Sequence, residues 1–340
     1  MKSRIILLAL MALSLSAIAQ NQIDKQGRKQ GHWIRTDNNG AKIFEGDFKD
    51  GKETGTFVYY YPNGNVRIRN TYTVPGKVCN HEAFDQEGHK LAQGVYNQRN
   101  RDGEWRIFDE QGRLIKIANY KMGIKQGPVI IFTSAGDTAE YTTWRDNHRD
   151  GRWWKRIGTK GYITGTYRNG GLEGTLVEYD DLGNLVREGH YKNGDKDGSY
   201  RFFENKVLTV DETWQLGALV DRKVLLSTPS PVYVSIFSIA YVYPKGKSAP
   251  TANVFMLDGR VYKCSESVAD LHARIGIDNF QLLDKKNGVV ANMSCVQGLT
   301  KDAEGRTIVL LEPNPPFSIF PDEDCVKMIQ SAQRPDALDE

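Results

Sequence analysis

The chain has 340 residues and an almost balanced charge, with 45 basic residues against 42 acidic ones and a formal net charge of +3. Such a chain lacks the dense basic surface needed to bind nucleic acid or anionic lipid, so the sequence predicts no nucleic-acid partner. Its length leaves room for more than one hydrophobic core.

Residues 1–19 have the pattern of a secretory signal peptide. Lys2 and Arg4 form a basic start, residues 5–15 are almost all apolar, and Ala17-Ile18-Ala19 matches a cleavage site. We expect cleavage after Ala19 and export to the periplasm or the outer cell envelope. The alternative is an uncleaved anchor, although the apolar run is shorter than the roughly 20 residues that span a bilayer. No later segment is long and apolar enough, so we expect no transmembrane segment after cleavage.

A glycine recurs at a spacing of 24 residues, or once 23, through most of the chain. The positions are Gly31, Gly55, Gly103, Gly127, Gly151, Gly174 and Gly198, and Cys79 occupies the one missing place. A fixed period of this size is typical of repeat arrays. We therefore predict eight repeats over residues 20–221, each beginning at one of these positions.

Each repeat has the sequence of a β-hairpin. In the second repeat, aromatic and β-branched residues flank Asn63-Gly64, which favours a two-residue type I′ turn. Further turns such as Asp50-Gly51 connect one hairpin to the next. The predicted fold is all-β: an elongated antiparallel sheet of hairpin repeats.

Hairpin pairing assigns the aromatic residues to two faces, because alternate residues of a strand point the same way. One face collects a structural aromatic ladder of Trp33, Phe57, Tyr72, Trp105, Tyr120, Trp153 and Tyr191, together with Phe48, Tyr167, Tyr200 and Trp214. The opposite face carries an aromatic row of Tyr60, Phe84, Phe108, Phe132, Tyr179 and Phe203. This row is either a flat binding platform or a surface covered by a neighbouring segment.

The repeats follow the pattern G-x-W/F-x-x-F/Y-x-x-x-G-x-L/V-x-x-x-G-x-Y, best matched at residues 63–72, 103–108 and 188–194. Over roughly residues 24 to 220 the chain resembles the MORN-repeat variant of bacterial proteins labelled as the YwqK-like antitoxin family, in the exported form typical of Bacteroidota-type envelopes. The resemblance implies β-hairpin arrays that act as scaffolds or binding surfaces without catalysis. Two repeats depart from the pattern: Cys79 and His81 replace the glycine and the aromatic residue in the third, and Lys160-Gly161 shifts the turn in the sixth.

After residue 221 the period stops, and residues 222–340 predict a small α+β domain with a Pro-rich and acidic tail. Residues 232–243 read as one strand, and Ser265 is placed to cap a helix that ends near Ile275. The other predicted elements are a hairpin of strands 253–257 and 260–263, strands at 280–283, 289–292 and 307–311, and a short helix around 325–330.

Three of the four cysteines, Cys264, Cys295 and Cys325, lie after residue 260, whereas Cys79 lies in the third repeat. Export permits disulfides, so we expect one bridge within the later region. Three connectivities are open to four cysteines, and the sequence does not choose among them.

No local motif indicates catalysis or a cofactor. Asn193, Asp195, Asp197 and Glu204 nearly match the spacing of a calcium loop, but strand-like flanks replace the helices usual there, so we predict no metal site. The sequence contains no H-E-x-x-H, G-x-S-x-G or C-x-x-C, and we predict a protein that is not an enzyme.

The expected function is that of a non-catalytic exported scaffold, which presents its repetitive sheet to protein partners in the cell envelope. The alternative is binding of glycan or peptidoglycan through the aromatic rows. An enzyme with its site in the C-terminal domain is the third and least favoured interpretation. A homo-oligomer through sheet edges is also compatible with the sequence, because the terminal strands of an array have unpaired backbone groups.

Overall fold

The computed structural model describes residues 20–245 and 251–332, so the predicted signal peptide and its cleavage site lie outside the described residues. Over the described ranges the chain forms 27 strands and two α-helices. It divides into two compact units, an N-terminal unit (Met1–Leu172) and a C-terminal unit (Glu173–Glu340).

The N-terminal unit is an antiparallel meander in which each strand pairs with the one before it. Its strands are β1 Gln22–Ile23, β2 Lys29–Thr36, β3 Lys42–Lys49, β4 Lys52–Tyr60, β5 Val66–Val74, β6 Val78–Phe84, β7 Lys90–Asn97, β8 Asn100–Phe108, β9 Leu114–Lys121, β10 Ile124–Phe132, β11 Thr138–Arg145, β12 His148–Ile157, β13 Gly161–Arg168 and β14 Gly171–Leu172.

The C-terminal unit begins with six strands that pair in the same sequential, antiparallel way. They are β15 Gly174–Tyr179, β16 Leu185–Lys192, β17 Asp195–Glu204, β18 Val207–Gln215, β19 Ala218–Leu226 and β20 Val232–Ser235. The prediction of an antiparallel array of hairpins is thus confirmed.

The remainder of this unit is an α+β region, as predicted. A five-stranded sheet has the order β23-β22-β21-β25-β24, and β26 pairs with β27 in a separate hairpin. The elements are β21 Ile239–Pro244, β22 Ala252–Met256, β23 Val261–Cys264, α1 Val268–Ile275, β24 Phe280–Asp284, β25 Val289–Asn292, β26 Val296–Lys301, β27 Thr307–Leu311 and α2 Glu323–Ala332.

The turn at Asn63-Gly64 differs from the predicted two-residue type I′ turn. Only Gly64 has a positive φ, of 87°. The Gly64 N–H donates to the Tyr61 carbonyl at 2.9 Å, and the Tyr61 N–H donates to the Asn65 carbonyl at 2.8 Å. This is a type I turn closed by a glycine bulge, in which a single residue adopts the left-handed conformation.

Type I′ turns occur instead between the hairpins. Asp50 and Gly51 have φ values of 53° and 77°, and Asn193 and Gly194 have 54° and 97°. These turns are also hydrogen-bonded to an earlier strand, since the Gly51 N–H donates to the carbonyl of Lys29, the first residue of β2, at 2.9 Å. The repeat therefore alternates two turn types, and the tighter type connects the hairpins.

An oxygen-bearing side chain just before the repeat glycine fixes the next type I′ turn. Asp102 Oδ1 accepts the Met122 N–H at 3.1 Å, and Gln126 Oε1 accepts the Asp146 N–H at 3.0 Å. In the equivalent bonds, a backbone N–H again donates to the side-chain oxygen: Asp50 to Gln30, Asn169 to Asp150, Asn193 to Glu173 and Leu216 to Asp197. This recurring bond, which was not predicted from the sequence, satisfies a turn N–H that the backbone hydrogen bonds between strands leave unpaired.

Three of the ladder aromatics are buried against glycines that lie 11 residues earlier in the chain. A Cβ on Gly46 would lie 2.6 Å from the Phe57 ring, and a Cβ on Gly94 would lie 2.4 Å from the Trp105 ring. Phe57 and Trp105 are each only 1% exposed. The same contact in the C-terminal unit joins Gly189 and Tyr200. A ring can lie flat on the neighbouring strand only where no side chain occupies that position.

The ladder rings also touch one another edge to face. Trp33, Phe48, Phe57 and Tyr72 form a chain of such contacts, with ring centroids 5.0 to 5.8 Å apart. Trp153 contacts Tyr167, and in the C-terminal unit Tyr191 contacts Tyr200. These geometries favour aromatic pairs beyond the gain from burial alone.

One hydrophobic core of the C-terminal unit extends across the predicted domain boundary at residue 221. Val210, Val224 and Leu226, from the last strands of the array, pack with Ile236 and Leu271. A second cluster joins residues from β21, β24, β27 and α2, among them Tyr241, Leu283, Val309 and Ile329.

Three details of this region differ from the predictions. The segment 232–243 is interrupted by a 3-10 turn at Ile236–Ser238, which separates β20 from β21. The cap of α1 is Ser267, which accepts the Asp270 N–H at 3.1 Å, while the Ser265 hydroxyl donates to the Ser227 carbonyl. Strand β26 was not predicted.

All four cysteines are buried and free. Cys264 lies in the first of the two clusters, whereas Cys295 and Cys325 lie in the second. The Cys325 thiol donates to the Leu282 carbonyl at 3.2 Å. The bridge expected after residue 260 is therefore not formed, and burial raises the pKa of the Cys264 thiol to about 11.

We expect Gly94→Ala to destabilise the protein by about 2–3 kcal/mol, because the added Cβ must displace the Trp105 ring from its packed position. Chemical unfolding of the variant and the wild type would measure this difference.

The matched background is Trp105→Val, which reproduces the Ala118–Val129 pair present one repeat later. Gly94→Ala should cost less in this background than in the wild type, giving a clear coupling free energy. Equal costs in both backgrounds would contradict the proposed ring–glycine contact.

A second prediction concerns the loop between β1 and β2. The Arg28 backbone N–H, aided by the Gln30 and Arg28 side chains, lowers the pKa of Asp24 from 3.8 to about 2. Because the folded-state pKa is depressed, the stabilisation by this carboxylate is complete above about pH 4 and is lost as the pH falls towards 2.

Asp24→Asn keeps one acceptor oxygen but removes the charge, so its melting temperature should lie below that of the wild type at pH 6. This difference should shrink between pH 4 and pH 2. A difference independent of pH over this range would show that the charge has no role.

Candidate binding surfaces

The N-terminal unit has two distinct sheet faces. The first face carries the aromatic ladder, and the second face carries the residues that alternate with it along each strand. Cross-strand partners lie on the same face of a sheet, so the register assigns each residue to one of them.

The predicted aromatic row lies on the second face, beside the bulged turns. All six of its members are half-buried: Tyr60, Phe84, Phe108 and Phe132 in the N-terminal unit, and Tyr179 and Phe203 in the C-terminal unit. Within the N-terminal unit the row uses every second strand, which places successive rings about 10 Å apart.

Two rings of this row are covered in part by charged side chains. The Tyr60 hydroxyl donates to Glu45, and Lys42 Nζ lies 5.8 Å from the Tyr60 ring centroid. Burial, followed by the bond to Glu45, raises the pKa of Tyr60 to about 12. The Arg69 guanidinium lies 5.4 Å from the Phe84 ring. These rings are therefore less open than a bare platform would be.

The centre of the second face is polar over β5 to β8. Arg69 pairs across the strands with Glu82, Glu82 with Gln93, and Gln93 with Arg106. Glu82 accepts from Arg69 at 3.1 Å and from Lys90 at 2.7 Å. The Lys90 bond is the largest of the effects that lower the pKa of Glu82.

The same central row becomes apolar from β9 onwards. Arg106 pairs with Ile117, and Ile117, Ile130, Tyr141 and Trp154 then follow one another across β9 to β12. We call these last four residues the apolar patch. All four are half-buried, and Trp154 also contacts the Tyr162 ring at 6.2 Å.

The apolar patch is not apparent from the residues that the repeats share. The signal was a difference: Ile130 occupies the repeat position that Arg106 holds one period earlier, and Trp154 follows one period later. Phe132 lies on the same strand and face as Ile130, two residues on, so the predicted aromatic row borders the patch.

On the first face, basic side chains cover the ladder rings. Arg101 lies 4.5 Å from the Trp105 ring and donates to the Tyr120 hydroxyl at 3.4 Å, and Lys125 lies 3.9 Å from the Trp144 ring. Lys29 and Arg149 occupy equivalent positions, as does Lys196 in the C-terminal unit. Each of these basic residues stands two positions before a repeat glycine. This spacing is visible in the sequence and could have indicated the cation–ring contacts.

The third repeat breaks the ladder. Asn70 stands where Gly46 and Gly94 stand in the neighbouring repeats, and His81 stands where Phe57 and Trp105 stand. His81 Nδ1 and Asn70 Oδ1 are 2.7 Å apart, and burial lowers the pKa of His81. A pocket of about 440 Å³ opens on the first face at this point.

The residues of the weak calcium pattern do not converge. Asp197 and Glu204 lie in the same extended strand, β17, so they are separated by about 23 Å at 3.3 Å per residue. Asp197 instead accepts the Leu216 N–H. Over residues 20–245 and 251–332, no group of three or more His, Cys, Asp or Glu residues could hold a metal ion. No helix in those ranges is long and apolar enough to cross a membrane.

Comparison with known proteins identifies the type of repeat in this chain. The chain matches the family described as MORN repeat variant at three places, residues 53–73, 101–122 and 172–193. No curated protein matches. Among solved structures, one titled "Crystal Structure of TcdB2-TccC3-TEV" aligns with 90% of this chain at 11% identity and a TM-score of 0.15. The chain spans 16% of the length of that structure's chain. The chain therefore contains MORN-type repeats within its antiparallel array.

Proposed function

We propose that this protein is a non-catalytic scaffold that binds a protein partner of the cell envelope through the second face of its N-terminal unit. The observation that carries the proposal is the apolar patch, Ile117, Ile130, Tyr141 and Trp154, which continues a row that is charged and polar over β5 to β8. Apolar patches with a polar rim are typical of protein interaction sites.

The composition of the patch suits a binding centre. Trp and Tyr are the residues that most often dominate the energy of protein interfaces, and a rigid sheet presents them with little loss of conformational entropy on binding. The surroundings supply a charged rim, with Arg106 on one side and Arg156 near Asp137 on the other. Such a rim favours a partner with apolar side chains at its centre and complementary charges around them.

The predicted aromatic row supplies further, weaker contacts. Phe108 and Phe132 lie beside the patch, and Phe84 and Tyr60 continue the row at intervals of about 10 Å. Small contacts repeated on a rigid support add to the affinity without each bearing the full entropic cost of association. Export to the periplasm or outer envelope is part of the proposal and is supported by the composition of residues 1–19.

The direct test is site-specific photo-crosslinking in cells. A photoreactive phenylalanine analogue at Trp154 should crosslink a protein partner at least 10-fold more strongly than the same analogue at Lys155. Lys155 is the matched control, because it is exposed and adjacent in β12 but points to the first face. Equal crosslinking at both positions, or none at Trp154, would refute the proposed surface.

The aromatic row generates a separate prediction. Tyr60→Ala combined with Phe108→Ala should leave the fold intact, because both side chains are half-buried and outside the ladder. Binding of the captured partner should weaken by about 10-fold, in line with the usual cost of truncating interface aromatics. Circular dichroism would check the fold and titration calorimetry the affinity. Unchanged affinity in the folded double variant would remove the row from the interface.

The alternative function is binding of cell-wall glycan through the same second face. Flat aromatic side chains on a sheet are compatible with this function as well. Pull-down with purified cell wall, compared with pull-down from envelope proteins, separates the two. Retention on cell wall that is lost in the Tyr60→Ala, Phe108→Ala variant would favour the glycan.

A further inference from the structure

The pocket in the third repeat arises from coordinated changes in the ladder. In the repeats on either side, a large ring fills the first face above a glycine, as Phe57 does over Gly46 and Trp105 over Gly94. Where the second and third repeats meet, a carboxamide and an imidazole, Asn70 and His81, replace the glycine and the ring together. An imidazole is smaller than an indole, and the space above this pair is the pocket of about 440 Å³.

Aromatic rings form much of the pocket wall. Tyr59, Tyr72 and Tyr96 line it, and the His81 ring packs edge to face against Tyr96 with centroids 4.9 Å apart. All four rings are half-buried, which leaves part of their surface open to a ligand. The volume falls within the range of known small-molecule sites, about 300–1,000 Å³.

Polar groups complete the lining. Asn70 and His81 contribute an amide and a neutral imidazole, and Glu53, Lys77 and Arg99 contribute one negative and two positive charges. Lys77 and Arg99 are exposed, whereas Glu53 is partly buried. The pocket thus offers hydrogen-bond donors and acceptors of several kinds beside flat aromatic surfaces.

This combination selects one class of ligand. The Asn70–His81 hydrogen bond uses one polar atom of each side chain, and a purely apolar ligand would take their other polar atoms out of water without giving them hydrogen bonds, which is costly. A highly charged phosphate would meet the Glu53 carboxylate and gain little from the tyrosine rings. A sugar ring has an apolar C–H face that can stack on tyrosine and hydroxyls that can bond with amide, imidazole and carboxylate groups.

We propose that the pocket formed by Tyr59, Asn70, Tyr72, His81 and Tyr96 is a binding site for a single pyranose unit. The pocket lies on the first face, whereas the apolar patch lies on the second face. The site therefore does not depend on the proposed protein interface, and each can fail without the other.

The test fills the pocket by restoring the ladder. Asn70→Gly combined with His81→Trp recreates the Gly94–Trp105 pair of the next repeat, so the variant should fold and its melting temperature should not fall. The full-length wild type and this variant would be applied to an array of neutral and acidic glycans. The wild type should retain at least one glycan, and the filled variant should bind it at least 10-fold more weakly.

Two further variants keep the test decisive. Thr71→Ala changes a neighbouring residue on the second face and should leave glycan binding unchanged. If the filled variant does not fold, Tyr59→Ala removes one aromatic wall and should also weaken binding at least 10-fold. Absence of any retained glycan on the wild type, or equal retention by the wild type and a folded pocket variant, would overturn the proposal.

Discussion

The N-terminal unit depends on one contact, an aromatic ring laid on a glycine of the preceding strand. A single sheet layer has no second layer to bury its side chains, and such sheets usually gain their core from a helix or another sheet. Here the ring itself supplies the cover, as Trp105 does over Gly94. Because the ring occupies the volume of the missing side chain, the two positions change together in Ala118–Val129 and in Asn70–His81, whereas Trp153, which faces Thr142, is only half-buried.

The remaining regularities support this contact. Cations such as Arg101 cover the outer surface of the rings, and the acceptor just before most of the repeat glycines holds the following turn in place. Each favourable interaction is small, since exposed cation–π pairs contribute about 0.5–1 kcal/mol. Their value lies in repetition at fixed positions, which selects one register and one spacing between hairpins.

The 24-residue period was sufficient to predict the antiparallel hairpins and their two faces, because period and alternation determine them. It could not determine the type of turn at Asn63-Gly64, since an Asn-Gly pair fits a bulged type I turn as well as a type I′ turn. The period could not predict the apolar patch either, because Ile130 and Trp154 are departures from the pattern that the repeats share. Beyond the array, the segment 232–243 is rich in Val, Ile, Phe and Tyr and gave no sign of the 3-10 turn at Ile236–Ser238, since hydrophobicity alone does not show where a chain leaves one sheet for another.

The ring–glycine contact also bears on how such arrays grow. Its two members belong to consecutive repeats, since Gly94 ends the third and Trp105 opens the fourth. Duplication of a 24-residue segment that contains both members, such as residues 90–113, gives each copy its own complete pair. Lengthening the array by such a duplication requires no compensating substitution at this contact, and the added repeat is then free to diverge at its own pair.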